Sequence, residues 1–279
     1  MPLNCLGTIR SSYHKFSEKE KKIADYILDK PELVIHRTIN EVADDLNIAD
    51  ATVFRFSKHI GFKGFQAMKI ALASEITTPI RNVQEEKIDK KDEKSFTEKI
   101  FKSNIRTLQN TIQMIDGNSL KKAIHLILQA ARVEIYGTRD SALIAMDAFQ
   151  KLVSTGIRAY TFIDTHYQLM SASRLTKDDL AIFISHSDSN KDTLKILKAV
   201  NENGAKTISI TSDPKSPISV NVDVALYTDS EATEYSTATF TSQLAQLSLI
   251  DAICLTINNL KKDDTLIAEA RTPTAPPQQ

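Results

Sequence analysis

The sequence predicts an all-α helix-turn-helix domain followed by an α/β domain in which a five-stranded parallel sheet is flanked by helices. Three observations carry the prediction. Residues 38–65, TINEVADDLNIADATVFRFSKHIGFKGF, hold two short amphipathic patterns joined by a three-residue break. Residues 78–95 are dominated by charge and nearly free of large apolar side chains, the composition of a connecting segment. From Val133 onward, short β-branched and aromatic runs alternate with helical stretches, the signature of parallel strands joined by right-handed crossovers.

The composition suits two modest domains. Of 279 residues, 42% are hydrophobic and 25% charged, an ordinary globular balance. Lys plus Arg and Asp plus Glu are 35 each, so any contact with a polyanion has to be local. No apolar run approaches the 18 or so residues of a membrane span, and the start MPLNCLGTIR has no signal-peptide core. A cytoplasmic protein with no membrane partner is expected. Cys5 and Cys254 lack metal-ligand spacing, so neither a metal nor a cofactor is expected, and Cys254 reads as a small core residue.

In chain order, Ser17 and Glu20 form a capping box that opens a helix through Ile23, Ala24, Ile27 and Leu28, stopped at Lys30-Pro31. Thr38 and Glu41 form another, ahead of Ile39, Val42, Ala43 and Leu46 on one helical stripe. Asn47-Ile48-Ala49 breaks that helix. The next begins near Asp50 and ends at Gly61, with Val53, Phe56 and Ile60 inward and Ala51, Thr52, Arg55 and Lys58 outward. A small, polar and basic outer face after a tight turn suits entry into a DNA major groove. The charge distribution agrees: residues 1–50 carry seven Lys/Arg against nine Asp/Glu, whereas 51–70 carry Arg55, Lys58, Lys63 and Lys69 and no acid. The candidate DNA-binding residues are therefore Ala51, Thr52, Arg55, Lys58 and Lys63. Arg55 has a second reading as a structural tie to Asp44 or Asp45. Phe54, Phe56, Phe62 and Phe65 read as core.

Phe65, Met68 and Leu72 mark a further helix, and the first domain is placed at 1–77 with its helix ending near Glu75. The charged linker is 78–95. A helix over 96–114 has Ile100, Phe101, Ile105, Leu108 and Ile112 on its apolar side, and Ser119 opens another to about Ala130. Strands are expected at 133–137, 158–163, 180–185, 206–211 and 222–227, with helices at 141–154, 166–174 and 193–203 between them. A long helix over 236–260 closes the second domain (96–260), and 261–279 is expected to be a disordered tail, ending in ARTPTAPPQQ.

In open parallel sheets, ligands bind beyond the carboxyl ends of the strands where strand order reverses. Two such ends are rich in hydroxyls and lead into helices: Gly137-Thr138-Arg139-Asp140-Ser141 and the run from Ser185 to Thr193. Helix N-terminal amides with serine hydroxyls suit an anion, and the same residue types also serve as ordinary caps.

FSEKEKKIADYILDKPELV followed by TINEVADDLNIADATVFRFSKHIGFKGFQAMKIALA resembles the N-terminal domain of RpiR-type bacterial transcription regulators over residues 16–73. The sequence departs from the pattern at Ala49, where the family usually carries serine; Asp50 is expected to supply the missing cap. IYGTRDSALIAMDAFQKLVSTG, IFISHSDSNKDTLKILKAVNENGAKTISIT and SQLAQLSLIDAI resemble the sugar isomerase (SIS) domain, a flavodoxin-like phosphosugar-binding fold, over about 119–260. The family's first phosphate loop falls on Gly137, Arg139 and Ser141, and its second on Ser185, Ser187, Asp188 and Asn190. The serines persist, while Arg139 and Asp188 replace glycines and Asn190 replaces a threonine. The resemblance implies ligand-binding residues Gly137, Arg139, Ser141, Ser185, Ser187 and Asn190, with Asp188 neutralised by Arg139 or Lys191.

It implies, further, a regulator of carbohydrate metabolism whose affinity for double-stranded operator DNA is controlled by a phosphorylated sugar, assembled as a homodimer or higher oligomer through the SIS domain. The alternatives are a sugar-phosphate isomerase, for which His166, His186, Glu231 and Glu234 are the available acid/base groups, and an SIS scaffold that has lost its ligand. Attachment to a helix-turn-helix favours sensing over turnover, and no catalytic residue is assigned.

Overall fold

The computed structural model describes residues 5–13, 16–84, 93–186, 191–230 and 238–271. The N-terminal part comprises α1 (Cys5–Ser12), α2 (Glu18–Asp29), α3 (Pro31–Val34), α4 (Ile39–Asp45), α5 (Asp50–His59) and α6 (Phe65–Gln84). One core joins them, including Ile9, Ile23, Ile27, Val42, Val53, Phe56, Met68 and Leu72. Pro31, which stops α2, serves as the first residue of α3, where its missing N–H and fixed φ cost nothing. The sequence reading had no α1. Its Cys5 and Ile9, with Tyr13 just beyond its end, join the core, and the Glu75 carboxylate of α6 accepts from the amides of Cys5 and Leu6, the latter at 3.1 Å. Burial raises the Glu75 pKa against the pull of those two amides.

Helix α6 runs past the expected end near Glu75 to Gln84, and α7 (Glu93–Met114) starts inside the expected linker. High charge misled here, because Glu, Lys and Gln are good helix formers. The middle of that segment, 85–92, lies outside the described residues. The inward face of α7 also differs from expectation. Thr107, Thr111 and Met114 are buried, whereas Phe101, Ile105 and Ile112 are 64%, 53% and 69% exposed.

The second domain follows as α8 (Gly117–Gln129), β1 (Val133–Tyr136), α9 (Ser141–Ser154), β2 (Ala159–Thr161), α10 (Thr165–Ala172), β3 (Leu180–Ile184), α11 (Lys191–Glu202), β4 (Lys206–Thr211), β5 (Val224–Tyr227) and α12 (Ala238–Arg271). All strand pairs are parallel, in the order β2-β1-β3-β4-β5, with Val133 opposite both Ala159 and Leu180. Alternation along the strands sorts the core into two layers. Val133, Ile135, Leu180, Ile182 and Ile184 face α8, α9 and α12, while Tyr136, Ala181 and Phe183 face α10 and α11. Helix α12 continues through the start of the expected tail to Arg271, and 272–279 lie outside the described residues. Both cysteines are buried, and burial pushes their thiols up, Cys254 to about 11. No helix among the described residues is long and apolar enough to cross a membrane.

The two domains touch. Helix α1 packs against α7 and the end of β5. There the buried Asp229 lies 3.5 Å from Arg10 of α1, accepts from Asn110 of α7 at 3.1 Å, and donates its amide to Thr111 at 3.0 Å.

Candidate functional site

Both ends of the α4–α5 unit are fixed locally. Thr38 and Glu41 form the expected capping box: Thr38 donates its amide to Glu41 Oε2 at 2.7 Å and its hydroxyl at 2.8 Å, while the Glu41 amide donates back at 3.3 Å. These bonds from Thr38, with one from Arg37, hold the Glu41 carboxyl below its ordinary range. The turn rests on Asn47 at φ 50°, with Ile48 donating to the Ala43 carbonyl at 2.9 Å and Asn47 to Asp44 at 3.0 Å. This is a Schellman closure with asparagine, a side chain that tolerates the left-handed region, in the glycine position. Helix α5 closes in the same way on Gly61 at φ 91°, with Phe62 donating to Ser57 at 3.0 Å. Ala49 is its N-cap and makes no side-chain bond, but Asp50 Oδ1 accepts from the Ala51 amide at 2.7 Å.

The faces of α5 divide as the sequence indicates. Val53, Phe56, Ser57 and Ile60 are buried; Ala51, Arg55 and Lys58 are exposed and Thr52 partly so. Lys63 is exposed beyond the helix end. Arg55 reaches Thr52 Oγ1 at 3.5 Å, while Asp45, one of the two partners considered for Arg55, is held by Arg37 at 3.8 Å and by the Tyr26 hydroxyl. Lys69 donates to the Arg37 carbonyl at 3.0 Å. Phe54 departs from its core reading: it is 45% exposed on the outer face, with Lys58 Nζ 5.9 Å from its ring centroid. Behind this face, Glu20 of α2 binds His59 at 2.6 Å. Burial pushes Glu20 up, but hydrogen bonds from His59 and Ser17 outweigh it and hold the carboxyl low.

In the second domain, strand order reverses between β1 and β3, and Tyr136 pairs with Phe183 there. The loops after these two strands therefore leave the same sheet edge side by side, bringing Gly137, Arg139 and Ser141 together with Ser185. Ser187, Asp188 and Asn190 lie outside the described residues, as do Glu231 and Glu234. A Cβ on Gly137 would fall 2.4 Å from the Ser141 carbonyl oxygen, so the first loop needs glycine for the close approach of α9. Arg139 adopts φ 52°, in the left-handed region that favours glycine. Ser141 and Ala142 donate to the carbonyls of Thr138 and Arg139 at 3.1 and 3.0 Å, which moves the open end of α9 upstream into Thr138–Asp140. His186 is bound through Nδ1 and its carbonyl to the Ser212 hydroxyl, at 3.2 and 3.0 Å, and His166 is exposed beside Tyr167.

Two buried glutamines that sequence reasoning passed over hold these loops. Gln168 Nε2 donates to the carbonyls of Gly137 at 2.9 Å and Phe162 at 2.6 Å, and Gln246 Nε2 donates to the Ser185 carbonyl at 3.0 Å. Gln246 shares a stripe with Leu249, Ile250 and Ile253, and a polar residue on that stripe was the available signal. Gln168 Oε1, Thr228 Oγ1 and Ser242 Oγ are buried without a hydrogen-bond partner among the described residues.

Residues 3–79 match the helix-turn-helix domain of the rpiR family and residues 126–256 the SIS domain. The HTH-type transcriptional regulator YbbH of Bacillus subtilis is 34% identical over 252 residues, covering 90% of this chain and 89% of its own length. HexR of Escherichia coli is 30% identical over 255 residues, covering 90% and 86%. Among solved structures, NanR of Vibrio vulnificus complexed with ManNAc-6P has a TM-score of 0.56 at 24% identity, over 97% of this chain and all of that one, a likeness of fold. With both domains matched in order and relatives at or above 30% identity along nine-tenths of its length, the chain belongs to the RpiR family of HTH-type transcriptional regulators.

Proposed function

We propose that the chain is a cytoplasmic regulator of carbohydrate metabolism that binds a two-fold operator through α5 and senses a phosphorylated sugar at the β1/β3 crevice. The observation that carries the effector half is the convergence of the Gly137–Ser141 and Ser185 loops at the point of strand reversal, each held from beneath by a buried glutamine. The sugar phosphate in the NanR complex is a ligand of the same chemical class. Ser187 and Asn190 complete the expected phosphate donors, with Asp188 paired to Arg139 or Lys191.

On the DNA side, Arg55 reads a guanine edge and Lys58 and Lys63 meet phosphates, flanked by Ala51 and Thr52. Gel-shift titration tests this. Arg55→Ala should cost roughly 1–3 kcal/mol, and Lys58→Ala should lower the salt slope by about one; parental binding by both variants rejects the placement.

Two-fold operators require a dimer, and the exposed line of Phe101, Ile105 and Ile112 along α7 supports assembly through the second domain. A fragment starting in the 85–92 segment should be dimeric or larger in light scattering; a monomer refutes this part. Thermal shift with a panel of sugar phosphates tests sensing, and turnover of any of them would favour the isomerase reading. The described residues offer that reading little, since His186 is engaged by Ser212 and His166 faces solvent beside Tyr167.

A further inference from the structure

Phe54 is the one large apolar side chain on the outer face of α5 that is exposed among the described residues, and it sits at the centre of that face. Ala51 lies one turn before it and Lys58 one turn after, with Arg55 next in the chain, so two cations share its face and no carboxylate occurs between Ala51 and Ile70. A protein partner for an apolar ring would ordinarily bring an apolar rim; this rim instead selects a polyanion.

The ring is also held in place. The backbone of Gly64, at the start of α6, lies so close beneath it that a Cβ there would come within 2.8 Å of Phe54 Cε2. Lys58 Nζ stands 5.9 Å from the ring centroid on the same helix. Glycine at 64 thus leaves the space that the ring occupies, and the remainder of the ring points out of the protein.

Of the groups that a duplex displays in its major groove, one is apolar: the 5-methyl of thymine. We propose that Phe54 contacts a thymine methyl group in each operator half-site, so that the operator is read there through the methyl and not through a hydrogen bond. The proposal rests on α5 being the recognition helix. A ring without donor or acceptor discriminates against cytosine, whose exposed amino group would be left unpaired beneath it.

Removing the methyl alone tests this. Operator would be selected from a random duplex pool with the full-length protein, and each thymine then replaced singly by deoxyuridine in fluorescence anisotropy titrations. One position per half-site should weaken parental binding roughly three- to tenfold. Phe54→Ala should lose a similar factor on the thymine operator and show no preference between thymine and deoxyuridine at that position. Phe54→Leu, which keeps an apolar tip, should retain part of the preference. A scan in which no deoxyuridine separates the parent from Phe54→Ala overturns the proposal while leaving α5 as the reader. Failure to enrich any operator, or enrichment indifferent to Arg55→Ala and Lys58→Ala, overturns the recognition-helix reading and the proposal with it. Unchanged circular dichroism melts of both Phe54 variants would exclude a folding defect as the source of the loss.

Discussion

Lys215 Nζ lies 2.7 Å from Asp25 Oδ1 and 3.3 Å from Asp29 Oδ1, tying the turn after β4 to helix α2 of the DNA-binding domain. The same ammonium stands 5.9 Å from the ring centroid of Tyr13, whose hydroxyl donates to Asp25 at 2.7 Å. Three residues back in the chain, Ser212 holds His186 of the loop after β3. A hydrogen bond, a three-residue stretch of chain and an ion pair thus join the β1/β3 crevice to α2. Burial works against the charged lysine, but hydrogen bonds and attraction from Asp25 and Asp29 outweigh it and raise its pKa. A raised lysine pKa contributes stability throughout the neutral range, and that contribution is lost only as pH climbs through the folded value.

Because the Lys215 side chain is about one-third exposed, the coupling is expected to be small. A double-mutant cycle on Lys215→Ala and Asp25→Ala should give less than about 1 kcal/mol, shrinking further with salt. Hydrogen exchange in α2 should nevertheless quicken in Lys215→Ala. Unchanged exchange there would show that the domains are held by other contacts.

Arg139 carries a backbone penalty in its left-handed conformation. The αL region costs an L-residue roughly 1–2 kcal/mol, and glycine gives back about 0.5–1 kcal/mol in unfolded-chain entropy. Arg139→Gly should therefore raise unfolding stability by up to about 1.5 kcal/mol in denaturant titration. Calorimetry should show weaker sugar-phosphate binding by the same variant, because a cation beside the phosphate is gone. Tighter binding would mean that Arg139 hinders the site.

Gln168→Leu removes the donor shared by the Gly137 and Phe162 carbonyls, and Gln246→Leu removes that of Ser185. Each orphaned buried carbonyl costs about 1–3 kcal/mol. Differential scanning calorimetry should show a lower transition for the second domain in both variants, with effector affinity falling as well. Loss of stability with intact affinity would assign the glutamines to packing alone.

Acid should destabilise the chain in a definable window. Asp223 is buried enough to be pushed up, but bonds from the Thr207 amide and hydroxyl and from Lys206 hold it below its ordinary 3.8. Glu20 likewise sits below 4.5. A depressed folded pKa gives stability that is present above the unfolded value and lost as pH falls through the folded one, so these losses begin near pH 4.5 and continue downward. Glu75 opposes them, since its raised pKa makes protonation on acidification favour the folded state. Asp223→Asn should flatten the acid limb of a stability–pH curve; an unchanged slope would remove Asp223 from the account.

The order and type of elements were legible in the sequence where local signals and burial agreed. The capping boxes at Ser17 and Thr38, Gly61 and the β-branched and aromatic runs from Val133 each correspond to an observed boundary or strand. Helix α7 was legible as a helix but not in its orientation. Periodicity identifies an apolar side without saying what covers it, and Thr111 can be buried because its hydroxyl donates to the Thr107 carbonyl at 2.8 Å. Helix α1 was missed because eight residues offer a weak pattern and its capping carboxylate lies seventy positions away at Glu75. The serine loops were visible as motifs. The glutamines beneath them were not, since glutamine is common on helix surfaces and only the fold buries Gln168 and Gln246.

Helix α5 follows a turn set by the left-handed Asn47, closes on the left-handed Gly61, and is anchored by Val53, Phe56 and Ile60. Among the exposed side chains of the helix, Asp50 caps its first turn and His59 ties it to Glu20, whereas Ala51, Phe54, Arg55 and Lys58 face away from the core. Positions 51, 54, 55 and 58 are accordingly open to exchange at little cost to folding, as movable type is set in a fixed frame. On the proposed reading, the word recognised by α5 can change without rebuilding the domain that presents it.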